Sequence, residues 1–492
     1  MNAGGVFGRL RRPPGVSQHD RYTLLSDPCW HDPVVVLEAI PDEATASPRH
    51  EATLLERIKT RQAVVAVCGL GYVGLPLLLT FAERSFPVIG LDIDLRKIDA
   101  LSRGESYIRH IDGERIRTRL AQGDGRFAAT ADFSHIANAD AILLCVPTPL
   151  TPSREPDMSY IENTTRSVAP HLRPGQLVVL ESSTYPGTTE EVVKPILESV
   201  SGLRAGEDFF LAFSPEREDP GNPTFSTATI PKVVGGFTPA CTAVASELYG
   251  AAITRVVRVK GTREAELTKL LENIFRCVNI ALVNELKLLC ERMDIDIFEV
   301  IEAAATKPFG FMPFYPGPGL GGHCIPIDPF YLTWKAREFE FQTRFIELAG
   351  EINTAMPHHV VQRTMEALNQ AGKTLKGARV LILGLAYKKN VDDLRESPSV
   401  RIIELLRERG AQVEYHDPFC PRITQMRHKP SYLLEMESVE LAEGVAHADA
   451  VVIVTDHDAI DYERLVCDAK LVIDTRNATR NVASGREKVW TA

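Results

Sequence analysis

One cysteine stands in a glycine- and proline-rich stretch, GPGLGGHCIPIDP, at residues 317–329. Gly321 and Gly322 let the backbone adopt a positive φ and approach a ligand closely, which is typical of a binding loop. A lone cysteine is often a buried structural thiol, but beside these glycines we expect Cys324 to be reachable and to act as a nucleophile. Asp328 supplies a carboxylate four residues further on.

A glycine turn at residues 69–74, GLGYVG, follows a β-branched run and precedes an apolar helical pattern, and the next apolar run ends at Asp92. GxGxxG alone is a weak signal, but here the first glycine permits a tight turn, the second admits a pyrophosphate and the third lets helix and strand pack. The Asp92 carboxylate is expected to bind a ribose 2′-hydroxyl and to repel a 2′-phosphate, which favours NAD over NADP, although the basic pair Arg96 and Lys97 follows it. The predicted cofactor-binding residues are Gly69, Gly71, Tyr72, Val73, Gly74, Asp92, Lys97, Thr148 and Thr184.

Thr148 and Thr184 each follow a further apolar run, ADAILLCVP and GQLVVLESS. Ligands of open α/β sheets bind outside the carboxyl ends of the strands, so both threonines are predicted where cofactor and substrate meet. Ordinary turn chemistry would explain either residue equally well.

Residues 378–418 repeat the strand, turn, helix and strand pattern, with Asp417 in the place of Asp92. Such an internal repeat indicates a second unit of the same kind. Its turn, GLAYKKN, lacks the GxGxxG glycines and supplies Lys388 and Lys389 instead. Cationic side chains suit a nucleoside diphosphate, while the plain alternative is two solvated surface lysines.

Residues 261–295, between the two units, predict one long helix because they are rich in Leu, Ala and Glu. Lys269 and Asn273 stand four apart on one face and could point into one cleft, although such a pair is more often a surface pair. The apolar positions predict a wide buried stripe, which favours a homodimer across this helix. The stripe comprises Leu267, Leu270, Leu271, Ile274, Val278, Ala281, Leu282 and Leu286.

A reactive thiol on the same chain as an NAD site suggests a four-electron oxidation. An alcohol oxidised to an aldehyde would add the Cys324 thiolate as a thiohemiacetal, a second hydride loss would give a thioester, and water would release the acid. The tetrahedral states need an oxyanion stabiliser, which Lys269 and Asn273 can provide, and Asp328 can handle the proton of the water.

The composition excludes other classes of protein. The 492 residues carry a formal net charge of −10, which argues against general binding to nucleic acid or to anionic membranes. Nine cysteines without CxxC or framework spacing predict reduced thiols and no metal site. No stretch resembles a transmembrane helix or a signal peptide, so we expect a cytoplasmic enzyme.

The motifs GLGYVG, VPTP, ESST, FSPER, TKLLEN and GPGLGGHCIPIDP occur in this order, and together they resemble the UDP-glucose/GDP-mannose dehydrogenase family. The resemblance implies an α/β fold with two Rossmann-like doubly wound domains joined by a long central helix that forms the dimer. The predicted divisions are a flexible extension at 1–53, an NAD-binding Rossmann domain at 54–260, a central helical dimerisation region with the cysteine loop at 261–365, and a UDP-binding Rossmann-like domain at 366–492.

By position, the resemblance makes Cys324 the nucleophile and Lys269, Asn273 and Asp328 its oxyanion and water partners. It adds Thr184 and Glu216 to the catalytic residues, Glu216 as an acid or base on the substrate side. It also implies a UDP-sugar substrate, with an acetamido pocket expected near Phe314 and Tyr315. The predicted substrate-binding residues are Glu216, Arg217, Lys269, Asn273, Phe314, Tyr315, Gly321, Lys388 and Arg395.

Within the family, the cysteine loop is most similar to UDP-N-acetylglucosamine 6-dehydrogenases, which make a uronic acid for bacterial surface polysaccharides. The family's UDP-glucose enzymes usually read PEFLxEG and CxPKD, where this chain has PEREDPG and CIPID, and both departures point away from plain UDP-glucose. The alternatives are a 6-dehydrogenase of UDP-glucose, UDP-N-acetylgalactosamine or UDP-N-acetylmannosamine, or a catalytically silent sensor of nucleotide sugars or NAD.

Overall fold

The computed structural model describes residues 48–108, 111–151, 155–217, 227–322, 325–423, 433 and 435–492. Their strands form two separate sheets, one of eight strands and one of five, and the longest helix lies between the two sheets in the chain. The predicted fold class, two doubly wound α/β units joined by a long helix, is confirmed.

The first sheet contains eight strands with these bounds: β1 Val65–Cys68, β2 Val88–Leu91, β3 Phe127–Thr130, β4 Ala141–Leu144, β5 Leu177–Leu180, β6 Phe210–Phe213, β7 Lys232–Gly236 and β8 Val256–Arg258. Their order is β3-β2-β1-β4-β5-β6-β7-β8. All neighbours are parallel except β6 and β7, which run antiparallel. The first six strands have the order of a dinucleotide-binding fold, whose ligand crevice lies at the carboxyl ends of β1 and β4.

The second sheet contains five strands: β9 Arg379–Leu383, β10 Gln412–His416, β11 Ala450–Ile453, β12 Val472–Asp474 and β13 Val489–Thr491. Their order is β10-β9-β11-β12-β13, and every neighbouring pair is parallel. In this order the direction of winding reverses between β9 and β11, so a ligand crevice is expected at their carboxyl ends.

Helices pack on the sheets and leave strands such as AILL and LVVL buried on both faces, which accounts for their continuous apolar sequence. No helix among the described residues is long and apolar enough to cross a membrane. The α-helices are α1 Pro48–Lys59, α2 Gly74–Glu83, α3 Leu95–Ser102, α4 Gly113–Ala121, α5 Ser159–Val168, α6 Lys194–Ser201, α7 Pro239–Gly250, α8 Thr262–Met293, α9 Ile297–Ala305, α10 Asp328–Ala336, α11 Arg344–Gln370, α12 Pro398–Glu408, α13 Leu441–His447 and α14 Tyr462–Asp468.

Helix α1 begins inside the segment that the sequence assigned to a flexible extension. Leu54 and Ile58 on its inner face are buried in the core of the first sheet, and Arg57 pairs with Asp140 at 2.8 Å. The last residues of the predicted extension, 48–53, are therefore helical, and the part of this helix that packs on the sheet lies in the predicted NAD-binding domain. Its first 47 residues lie outside the part of the chain that the structure describes.

Helix α8 is one unbroken helix of 32 residues, close to the predicted bounds. It ends at Met293, and the next residue, Asp294, adopts the left-handed conformation. The predicted apolar stripe divides between two faces. Leu270 and Ala281 are buried, whereas Leu267, Leu271, Leu282 and Leu286 are exposed. In the single chain, therefore, only part of the predicted stripe is buried.

Candidate active site

The glycine turn between β1 and α2 shows which glycines the fold itself requires. A Cβ at Gly69, whose φ is +92°, would lie 2.4 Å from the Cys145 carbonyl oxygen, and one at Gly74 would lie 1.8 Å from the Gly69 oxygen. By contrast, apart from Gly71 itself and its two chain neighbours, no atom of the described residues lies within 4 Å of a Cβ built at Gly71. Gly71 therefore borders open space at the start of a helix, where backbone N–H groups suit a phosphate. Tyr72 and Val73 complete the turn.

Asp92 lies at the carboxyl end of β2, as predicted, and its carboxylate also fastens the glycine turn. It accepts the Leu70 N–H at 2.8 Å and the Asp94 N–H at 2.9 Å, and Lys97 lies 2.7 Å from it. In the second sheet Asp417 accepts the Leu385 N–H at 2.6 Å. Asp417 therefore takes the place of Asp92, as the sequence repeat predicted, and each carboxylate accepts a backbone N–H from the turn of its own unit.

The catalytic candidates on α8 meet the cysteine loop through Asp328, the first residue of α10. Asn273 donates its Nδ2–H to Asp328 Oδ2 at 2.5 Å, and Arg276 donates to Asn273 Oδ1. Lys269 is buried one turn earlier on the same helix. The predicted group of Lys269, Asn273 and Asp328 is therefore brought together.

The Asp328 carboxyl is almost fully enclosed, and its Oδ1 has no hydrogen-bond partner among the described residues. Burial raises the pKa of this carboxyl to about 6, against the opposing charge of Lys269 and the hydrogen bond from Asn273. A carboxyl that titrates near neutrality suits general acid–base work.

Cys324 and His323 lie outside the described residues. Both flanks of the loop are described. Gly322, with φ +83°, donates its N–H to the Arg395 carbonyl at 2.9 Å, and on the other side Ile325 packs on the contact between α8 and α11. The loop thus joins helix α8 to the second sheet.

Thr184 lies at the carboxyl end of β5, where its hydroxyl and that of Thr188 are 2.7 Å apart. Glu266 of α8, which no sequence motif singled out, accepts the N–H groups of Gly187 and Thr189 at 2.6 and 2.9 Å. Burial raises the pKa of Glu266 to about 7, although these hydrogen bonds oppose the shift. The helix that carries Lys269 therefore also fixes the turn that carries Thr184.

Thr148 is buried at the end of β4, and its carbonyl accepts the Tyr331 O–H of α10 at 2.7 Å. On the other side of the site, Arg217 pairs with Glu272 of α8 at 2.6 Å, and the Glu216 carboxylate lies 3.4 Å from Lys232. Strand ends of the first sheet thus contact both α10 and α8.

Residues of the second sheet reach the glycine turn of the first. The Arg395 guanidinium lies over the Tyr72 ring, 4.7 Å from its centroid, and pairs with Asp393 at 2.6 Å. A Cβ at Gly321 would lie 2.5 Å from the Tyr387 Cβ, so this glycine is needed where the cysteine loop meets the second unit. Tyr72 of the first predicted nucleotide site therefore contacts Arg395 of the second unit, and the described flank of the cysteine loop packs against Tyr387 of that unit.

Lys388 is half-buried in the second turn, beside Tyr387, whereas Lys389 pairs with Asp458 at 2.8 Å at the surface. Phe314 packs edge-on against Phe275 of α8, with ring centroids 5.6 Å apart, and the neighbouring Tyr315 is exposed. Lys388 and Phe314 are thus both partly exposed, and Lys389 is held in a surface ion pair.

Comparison with known proteins gives three consecutive matches to models of the UDP-glucose/GDP-mannose dehydrogenase family: its NAD-binding domain at residues 63–253, its central domain at 263–355 and its UDP-binding domain at 381–481. The chain is 37% identical over 427 residues to UDP-N-acetyl-D-mannosamine dehydrogenase of Escherichia coli K12, covering 83% of this chain and 98% of that protein. It is 37% identical over 356 residues to UDP-N-acetyl-D-glucosamine 6-dehydrogenase of Pseudomonas aeruginosa, covering 72% and 82%. The solved structure of a UDP-D-ManNAc dehydrogenase from Pyrococcus horikoshii superimposes with a TM-score of 0.78 at 33% identity, covering 87% of this chain and 98% of that one.

Proposed function

Because the chain belongs to the UDP-glucose/GDP-mannose dehydrogenase family and is an NAD-dependent nucleotide-sugar dehydrogenase, we propose that it oxidises C6 of a UDP-N-acetylhexosamine to the uronic acid. The observation that carries this proposal is the meeting of Lys269 and Asn273 of α8 with Asp328 directly behind the cysteine loop. A buried carboxyl with a raised pKa beside a lysine and an asparagine is typical of a catalytic site.

When bound, NAD supplies the hydride acceptor for both oxidation steps. Residues of the chain do the rest: the Cys324 thiolate holds the carbon between the two oxidations, and Lys269 with Asn273 stabilises the developing oxyanion. Asp328 takes the proton of the attacking water. One alcohol and one water are consumed with two NAD, giving one carboxylate, two NADH and three protons.

UDP-N-acetylmannosamine is the first candidate substrate, since the relatives from E. coli and P. horikoshii carry that activity in their names. The sequence motifs favoured UDP-N-acetylglucosamine, and the Pseudomonas relative keeps that second candidate open. The two sugars differ in the orientation of one substituent, so only the shape of the pocket separates them. Phe314 and Tyr315 are the residues we propose for the acetamido side of that pocket.

The test is turnover of UDP-N-acetylmannosamine, UDP-N-acetylglucosamine, UDP-N-acetylgalactosamine and UDP-glucose, followed by NADH absorbance. We expect an N-acetylated sugar to exceed UDP-glucose in kcat/KM by roughly tenfold or more, the discrimination that one well-packed substituent supplies. Preference for UDP-glucose would refute the N-acetylhexosamine proposal. No turnover of any of them, with NAD and UDP-sugar still bound, would favour the silent sensor.

We also propose that the protein is a homodimer. The exposed apolar residues of α8 recur at helical spacing along one face: Leu267, Leu271, Phe275, Leu282, Leu286, Leu289 and Met293. A continuous apolar face of this length is unusual on a monomer, and a second copy of α8 is its self-complementary partner. Light scattering should give twice the chain mass, and Leu271→Glu with Leu282→Glu should give the monomer. A wild-type monomer would refute the dimer.

A further inference from the structure

Glu216 belongs to a cluster of three charged side chains, whose other two members, Glu181 and Lys232, are buried behind it. The Lys232 Nζ lies 2.5 Å from Glu181 Oε2 and 3.4 Å from Glu216 Oε2. Glu181 is 1% exposed and Lys232 4%. The Tyr249 hydroxyl of α7 donates to the remaining Glu181 oxygen. The Lys232 ammonium is therefore shared between two carboxylates at a place that solvent can barely reach.

The topology of the first sheet assembles this cluster. Glu181 directly follows β5, and Glu216 lies three residues beyond the end of β6. Strand β7 begins at Lys232 and runs antiparallel to β6 in the register Phe213↔Gly235. If the same register is extended three residues beyond Phe213, Glu216 lies opposite Lys232. Within this extension, the Ser214 hydroxyl donates a hydrogen bond to the Val233 carbonyl at 2.8 Å. Lys232 is thus built into the sheet directly beneath Glu216.

The charges in the cluster are unequal. Burial by itself lowers the pKa of Lys232, because it disfavours the charged ammonium. The charges of Glu181 and, second, of Glu216 outweigh burial and hold this pKa above its usual range. Burial, and then the charge of Glu216, raise the pKa of Glu181, against the effect of Lys232. Lys232 therefore stays charged, and the two carboxylates compete for it.

Other groups face the cluster from neighbouring elements. Tyr249 and Cys145, which follows β4, both stay protonated, since burial raises the pKa of each well above its usual range. Arg217 donates its backbone N–H to Glu216 at 2.7 Å, while its guanidinium pairs with Glu272 of α8. Among the described residues, Lys232 and Glu181 are thus charged side chains that lie directly behind Glu216.

We propose that Lys232 is a positioning residue that orients the Glu216 carboxylate and keeps it ionised, and that Glu181 competes for the same ammonium and so sets the pH at which Glu216 can accept a proton. This inference rests on the acid or base role proposed for Glu216. It assigns functional positions to two residues that touch neither substrate nor NAD in the proposed reaction.

The test is the acidic limb of the pH profile of kcat/KM, measured between pH 5 and 9. Lys232→Met should move this limb to higher pH by roughly 1–3 units, the usual effect of losing an adjacent opposite charge. Glu181→Gln should move it to lower pH, because the ammonium then serves Glu216 alone. Lys232→Arg should return the limb close to its wild-type position. A mere loss of packing in the two variants Lys232→Met and Glu181→Gln would not move the acidic limb in opposite directions.

Two outcomes would overturn the inference: shifts of the same sign in Lys232→Met and Glu181→Gln, or a lower plateau with an unmoved limb. If Lys232→Met fails to fold, as judged by its thermal transition, Glu181→Gln and Lys232→Arg still decide the question.

Glu216→Gln separates this inference from the proposed function. A limb that survives in Glu216→Gln refutes the role of Glu216, whereas a limb lost in Glu216→Gln but unmoved in the other variants refutes the inference alone. Infrared titration of the Glu216 carboxyl, by difference from Glu216→Gln, gives the same comparison without turnover.

Discussion

Replacement of Asp328 by asparagine is expected to make the folded protein more stable while disabling it. Burial raises the pKa of Asp328 from 3.8 to about 6. In the pH range between these values the folded chain holds a proton that the unfolded chain has lost, so ionisation disfavours folding increasingly as pH rises. A shift of roughly 2 units corresponds to roughly 3 kcal/mol above pH 6.

The asparagine variant avoids this cost, since its side chain is neutral and still offers an oxygen to Asn273. Its amide N–H₂ then occupies the place of Oδ1, which has no partner among the described residues, and this costs about 1 kcal/mol. We therefore expect a net gain of about 2 kcal/mol at pH 8, and roughly half of the ionisation cost to be gone at pH 5.

The assay is thermal unfolding of wild type and Asp328→Asn at pH 5 and pH 8, paired with kcat, which should fall by about 10²-fold or more. Asp417→Asn is the matched control. Hydrogen bonds from His457 and Ala386 lower the pKa of Asp417 despite its burial, so that variant should lose stability at pH 8. An Asp328→Asn protein that is less stable than wild type at pH 8 would refute the reasoning.

Two further predictions concern the cofactor side. Gly71→Ala should keep the wild-type thermal midpoint but weaken NAD binding by roughly tenfold or more in calorimetry, because its Cβ enters the open space predicted to hold the cofactor. Gly74→Ala should instead unfold at a lower temperature, because its Cβ would collide with the Gly69 oxygen. Equal effects of the two changes would contradict this prediction. Glu266→Gln presents an N–H₂ group to the N–H of Gly187 or of Thr189, so it should raise the KM for NAD several-fold and lower the free energy of unfolding by about 1–2 kcal/mol. Glu264→Gln, exposed on the same helix, is the control and should change neither.

Local patterns predicted the parts of the fold that local chemistry controls. The turn at Gly69 and the carboxylates Asp92 and Asp417 at the strand ends were predictable from the strand, turn, helix and strand pattern of a βαβ unit. Helix α8 was predictable from a long stretch with neither glycine nor proline. The Lys269 and Asn273 pair could be placed on one face because helical spacing is fixed.

Contacts between distant segments were not predictable in this way. Lys232 reaches Glu216 through the register of an antiparallel strand pair, and the Tyr331 bond to Thr148 joins residues far apart in the chain. The apolar stripe of α8 gave no sign of which half faces α11 and which faces outward. Periodicity reports that a face is apolar, and tertiary packing decides what covers it.

The central claim, that the Cys324 thiolate holds one carbon through two successive dehydrogenations, is tested most directly by counting NADH against uronic acid for wild type and Cys324→Ser. We expect two NADH for each acid in the wild type, and no acid from a Cys324→Ser variant that still binds NAD and UDP-sugar. One NADH per product in the wild type, or acid formed by Cys324→Ser at the wild-type rate, would contradict it.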